Sequence, residues 1–91
     1  MPPFDDAWLE QLNPRDALRV LAAWDRLRLH TPASQRPIAY LHQHTHLPIR
    51  LLTHLHRTRT VCAHPHLGPI SQTDLDRALV TAYHALARLT P

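Results

Sequence analysis

One glycine among 91 residues, set against nine prolines, is the feature that most narrows what this chain can fold into. Tight two-residue hairpins draw on glycine for their left-handed backbone positions, so a sheet of short hairpins is excluded. The same scarcity excludes a phosphate-cradling P-loop and a dinucleotide-binding fingerprint. The prolines fall instead where helices begin. Asn13 precedes Pro14 and Asp16, the order of an N-cap, a first helical residue and an acid in the first turn. Ala17, Val20, Leu21, Trp24 and Leu27 follow at helical spacing, which predicts a helix over 14–29. Before it, Asp5 would cap a short helix carrying Trp8, Leu9 and Leu12. After it, Thr31 could cap and Pro32 could start a helix, but Pro37 would interrupt it, so the expected helix is 36–43 with Pro37 in its first turn. Thr45 as cap and Pro48 in the first turn predict another over 46–59. Pro65, Gly68 and Pro69 mark a loop or a short extended piece. Ser71 and Asp74 then form a near-capping box for a last helix over 72–89. The expected fold is all-α, a single domain over 1–91 with four to five helices.

A chain of this size buries only roughly 60–65% of its unfolded surface, so help from a partner copy is plausible on size alone. Leu75, Leu79, Ala82, Leu86 and Leu89 are spaced four, three, four and three, an a/d seam. Ala78, Val80 and Ala85 widen the apolar surface beyond it. The expectation is a symmetric homodimer through these five seam residues. The alternative is packing of the seam on Leu21 and Trp24 within one chain. A single cysteine, Cys62, cannot close an internal disulfide, no signal-peptide pattern opens the chain, and its apolar runs are short. A soluble cytoplasmic protein without membrane contact is expected.

Charge is unevenly placed. Residues 31–66 carry Arg36, Arg50, Arg57 and Arg59, seven of the nine histidines and no acid, whereas the five acids of 1–30 outnumber its four arginines. That middle attracts polyanions, more strongly once histidines protonate below neutral pH. Within 46–59, Ile49, Leu52 and Leu55, with Leu51 beside them, are expected on one face. His46, Arg50, Thr53, His54 and Arg57 are expected on the other. A helix in the major groove needs such a face: arginine for guanine edges or phosphate, shorter polar groups beside it, and no carboxylate.

The stretch IAYLHQHTHLPIRLLTHL resembles the helix-turn-helix of winged-helix regulators, most nearly the GntR type. The resemblance rests on Ile38-Ala39 opening one helix, Thr45 capping the next, Pro48-Ile49-Arg50 starting it, and the nine-residue step from Ala39 to Pro48. It lies within residues 36–61. It departs from the family at His42 and His44, where apolar residues are usual, and at Gln43, where the turn glycine would sit. The resemblance implies a DNA-binding core at 36–59, with Val61 and HPHLGPI as a minimal wing at 61–70, and no effector domain. The expected function is a dimeric regulator of transcription that binds double-stranded DNA. Arg50 and Arg57 are the main contacts, His46, Thr53 and His54 accessory ones, Arg36 and Arg59 phosphate clamps, and Thr45 sits at the start of the helix.

Two other readings follow from the same residues. A helical adaptor for an acidic protein surface would use the same basic face. A histidine-based metal carrier would use Cys62, His64 and His66, which an extended loop would bring to one side. That set lacks a fourth ligand, His54 and His56 point apart on a helix, and 42–59 has no carboxylate to orient a ligand. No metal or other cofactor is therefore expected. Nor is an enzyme: no acid stands near Cys62 and His64 to orient a nucleophile and base, and Trp8 and Trp24 occupy helical core positions rather than a stacking platform.

Overall fold

The computed structural model describes residues 7–90 and is all-helical over them. A 3₁₀ turn, Ala7–Gln11, precedes α1 (Pro14–His30), α2 (Pro37–Thr45), α3 (Ile49–Ala63), a second 3₁₀ turn (Pro65–Leu67) and α4 (Gln72–Leu89). Asp5 lies outside the described residues. The short helix expected around Trp8 is only the 3₁₀ turn and contributes no fully buried residue.

The helix starts differ in how firmly they are fixed. Asn13 accepts from the Arg15 N–H at 2.9 Å, with Pro14 at the first helical position. Ser71 and Asp74 form a complete capping box: Ser71 Oγ accepts from the Asp74 N–H at 3.2 Å and Asp74 Oδ2 accepts from the Ser71 N–H at 2.9 Å. These two starts are joined to each other through Gln72. Its Oε1 accepts from the Asn13 N–H at 2.8 Å, and its Nε2 donates to Asp16 at 2.8 Å and to Asp76 at 3.0 Å. By contrast α3 has no side-chain cap, Pro48 standing at the cap position.

α1, α3 and α4 pack on one another as a three-helix bundle, and the shorter α2 lies against α3 and α4. The core comprises Val20, Ala23, Trp24 and Leu27 from α1, Leu41 from α2, Leu47 from the turn, Leu52 and Leu55 from α3, and Leu75, Ala78, Leu79, Ala82 and Ala85 from α4. The alanines keep side-chain bulk low, which lets helix axes approach closely. Arg88 donates to the Thr45 carbonyl, tying the end of α4 to the α2–α3 connection.

Three expectations are corrected here. α3 runs on to Ala63 because Thr58 and Val61 are buried and continue its inward stripe. The segment expected as a wing is therefore helix up to 63 and a 3₁₀ turn at 65–67, with no strand among the described residues. Gly68 serves close packing instead: a Cβ there would stand 2.4 Å from a Trp8 ring carbon and 3.1 Å from Val61. The seam of α4 is the molecule's own core. Leu75 and Ala82 are fully buried, Leu79 is nearly so, and Leu86 and Leu89 pack against the cluster. Leu75, Leu79 and Ala82 are thus covered by their own chain, and Leu86 and Leu89 are partly covered by it. No described helix is long and apolar enough to cross a membrane.

Candidate nucleic-acid interface

The connection between α2 and α3 is three residues long, and hydrogen bonds fix its shape. Thr45 is the last residue of α2 and only 1% exposed. Its hydroxyl donates to the Leu41 carbonyl at 2.6 Å and accepts from the Leu47 N–H at 3.3 Å. His46 then takes a left-handed conformation, φ 61°, ψ 15°, and ends α2. His42 Nδ1 donates to the Leu47 carbonyl at 2.7 Å, which closes the turn from outside. Leu47 itself is buried.

This geometry corrects two assignments and explains one oddity. Thr45 does not cap α3 and does not reach the surface, so it cannot touch a ligand. His46 is exposed but belongs to the turn, not to α3. The turn falls after Thr45, so Gln43, matched to a turn glycine by the resemblance, lies inside α2. Leu41 supplies the buried contact of α2, which frees His42 and His44 to sit outside. His44 lies against Tyr40 with ring centroids 4.1 Å apart.

On α3 the inward residues are Leu52, Leu55, Thr58 and Val61. At about 3.6 residues per turn the outward arc is centred on Thr53, with Arg50 and Arg57 on one flank and Ile49, His56 and Thr60 on the other. Arg50, Thr53 and Arg57 are all exposed, and α3 carries no acid. Ile49 is corrected from the core face to the surface, being 52% exposed. The buried Thr58 and Val61 carried the signal: they extend the Leu52–Leu55 line and rotate the inward face away from Ile49.

Two further assignments shift. His54 is half-buried and turned toward α4, where its Nε2 lies 3.0 Å from Asp74 Oδ1. The His54 hydrogen bond, joined by those from Ser71, holds the Asp74 carboxyl down to about 2, against the cost of desolvation. Arg59 is half-buried, with its Nε enclosed and unpaired, so it is not a free outward clamp. It and Arg28 both repel a proton on His56, whose pKa is lowered by burial first, then by Arg59 and Arg28. The His56 ring lies 5.0 Å from Trp24. Arg36 is exposed at the start of α2. It borders a largely apolar cleft of about 360 Å³ shared with Trp24, Ile38, Ile49 and His56.

The metal candidates do not converge. Cys62 lies on α3, His64 ends that helix and His66 lies in the following 3₁₀ turn, so the extended loop that would have aligned them is absent. No group of three or more His, Cys, Asp or Glu side chains among the described residues could hold an ion. Burial pushes the Cys62 thiol pKa up, away from a reactive thiolate. Sequence reasoning missed Arg77. It is exposed on α4 and shares a cleft with Arg50, Leu51 and His54.

No protein-family model, no curated protein and no solved structure matches the chain.

Proposed function

We propose that the protein binds double-stranded DNA through the outward face of α3 and acts in the regulation of transcription. The observation that carries this reading is the exposed trio Arg50, Thr53 and Arg57 on an acid-free helix that follows a tightly bonded three-residue turn. A face of this kind presents guanidinium groups for guanine edges or phosphates and a short hydroxyl between them, with no acid on the helix itself. His46 in the turn and Arg36 at the start of α2 are accessory contacts. His54, held to Asp74, touches DNA only at the margin of the face. In a dimer two such helices would read two half-sites. Self-association belongs to the exposed strip of α4 bearing Val80 and Tyr83, since the seam is occupied. An intracellular setting, expected from the lone cysteine, belongs to the same proposal.

The test is retention of a labelled random-sequence duplex across a salt series, with molecular size measured alongside. Binding that weakens steeply with salt supports the reading, because phosphate contacts release counterions. The double variant Arg50→Ala/Arg57→Ala should lose at least about tenfold in affinity, two charged contacts being worth roughly 1 kcal/mol each or more.

A second reading, an adaptor module that binds another protein, is favoured by the apolar cleft beside Ile49. That cleft is lined by Trp24, Ile38 and Ile49, with Arg36 on its border. Ile49→Asp would abolish protein capture through the cleft. DNA retention would survive that substitution less one charge's worth of repulsion.

A further inference from the structure

The cleft between α3 and α4 encloses about 410 Å³ and is lined by Arg50, Leu51, His54 and Arg77. Among the described residues neither arginine has an ion pair or a hydrogen bond within the protein. Neither nearby acid pairs with them. Asp74 spends Oδ1 on His54 and Oδ2 on the Ser71 N–H and hydroxyl, and Asp76 accepts from Gln72. Two guanidinium groups from different helices thus face one space with no partner for either. His54 on the wall of the cleft is already held. Its Nε2 faces the ionised Asp74 and so carries the proton, which leaves Nδ1 as a buried atom with no partner.

We infer that this cleft is a seat for one backbone phosphate of the bound duplex, with Arg50 and Arg77 gripping its oxygens from two helices. The inference rests on the DNA reading and adds a contact from α4, outside the turn and helix on which that reading was built. Two arginines fit a phosphate because their planar N–H forks match its oxygens, and a single charge would only attract it.

The experiment compares wild-type protein with Arg77→Gln and Arg77→Lys, using duplex retention from low to high salt. Arg77 is exposed, so unchanged thermal melting of both variants is the check on folding. The expected result is a log–log salt slope smaller by about 0.9 in Arg77→Gln, the value of one phosphate contact on B-form DNA, so that a fourfold rise in salt separates the two by roughly three- to fourfold. Arg77→Lys should restore most of the slope. Wild-type protein that retains duplex while Arg77→Gln retains it equally, with the same slope, overturns the seat and leaves the α3 reading intact. Wild-type protein that retains no duplex at any salt overturns the α3 reading, and the seat with it. Titration with inorganic phosphate, followed on the Arg50 and Arg77 side-chain N–H signals, tests the seat without DNA. Saturable shifts lost in Arg77→Gln support it, and no shift overturns it.

Discussion

α3 and α4 are both amphipathic, yet only one of them has the face that its spacing suggests. On α4 the residues expected on the apolar stripe are inward, from Leu75 through Leu89. On α3 the expected stripe began at Ile49, and the real one begins at Leu52 and continues through Thr58 to Val61. The difference lies in the starts. α4 begins at a reciprocal Ser71–Asp74 box, which fixes both the first residue and the helix phase. α3 has no side-chain cap, and its start is dictated by the Thr45–His46–Leu47 turn, whose bonds run to Leu41 and His42. A helix with its own cap can be read locally. A helix started by its neighbour can be read only with that neighbour.

The largest expected effect tests the phase of α3 directly. Leu52→Ala should cost about 2–5 kcal/mol in denaturant unfolding, since it opens a cavity in a fully closed core. Ile49→Ala, one turn earlier and half exposed, should change stability by less than about 1 kcal/mol. Equal losses would return Ile49 to the core and undo the outward arc centred on Thr53.

Next in size is the cap. Ser71→Ala removes an acceptor for the Asp74 N–H and a donor to the Asp74 carboxylate, and should cost about 1 kcal/mol. In chemical denaturation over pH, the Asp74 carboxyl adds a second signature. Its folded-state pKa of about 2 lies below the ordinary 3.8, so its contribution is present above pH 4 and is lost as pH falls toward 2. Asp74→Asn should flatten that limb. Smaller again is the turn: His46→Gly should stabilise the protein by up to about 1 kcal/mol, because glycine adopts the left-handed conformation without a Cβ penalty. Thermal melting would show the gain, and a loss would mean that the imidazole itself holds the turn.

The smallest effect is on His56. Its folded-state pKa is below 6.5, so folding favours the neutral ring. Stability should be full above pH 6.5 and fall as pH drops through that value toward the lowered one, where the unfolded chain binds the proton more readily. His56→Gln should remove this slope while leaving stability at pH 8 nearly unchanged. A slope that survives the substitution would assign the proton to another of the histidines.

Much of the fold was legible because helix starts are chemical. Asn13-Pro14 and Ser71–Asp74 mark α1 and α4 within a residue, whereas α3 starts three residues later and ends four residues later than proline and apolar spacing put it. The missing wing was not legible, since Val61 and Cys62 read as loop until Thr58 is known to be buried. Nor was the fate of Thr45, a residue type that caps helices but here ends one by bonding back to Leu41. At the candidate site, Arg50, Thr53 and Arg57 could be placed from the sequence because they share one turn-spaced face. Arg77 could not, because it meets Arg50 only through the packing of α4 on α3, which no local pattern encodes. The α4 seam was ambiguous for a related reason: an apolar stripe shows that something covers it, and not whether the cover is a second chain or α1.

The central claim, that the outward face of α3 carries DNA binding, is tested most directly by duplex retention over a salt series for wild-type protein and Arg50→Ala/Arg57→Ala. The account predicts salt-sensitive binding by the wild type and a loss of at least about tenfold, with a shallower salt slope, in the double variant. Equal retention by the two proteins, or none by the wild type at low salt, would contradict it.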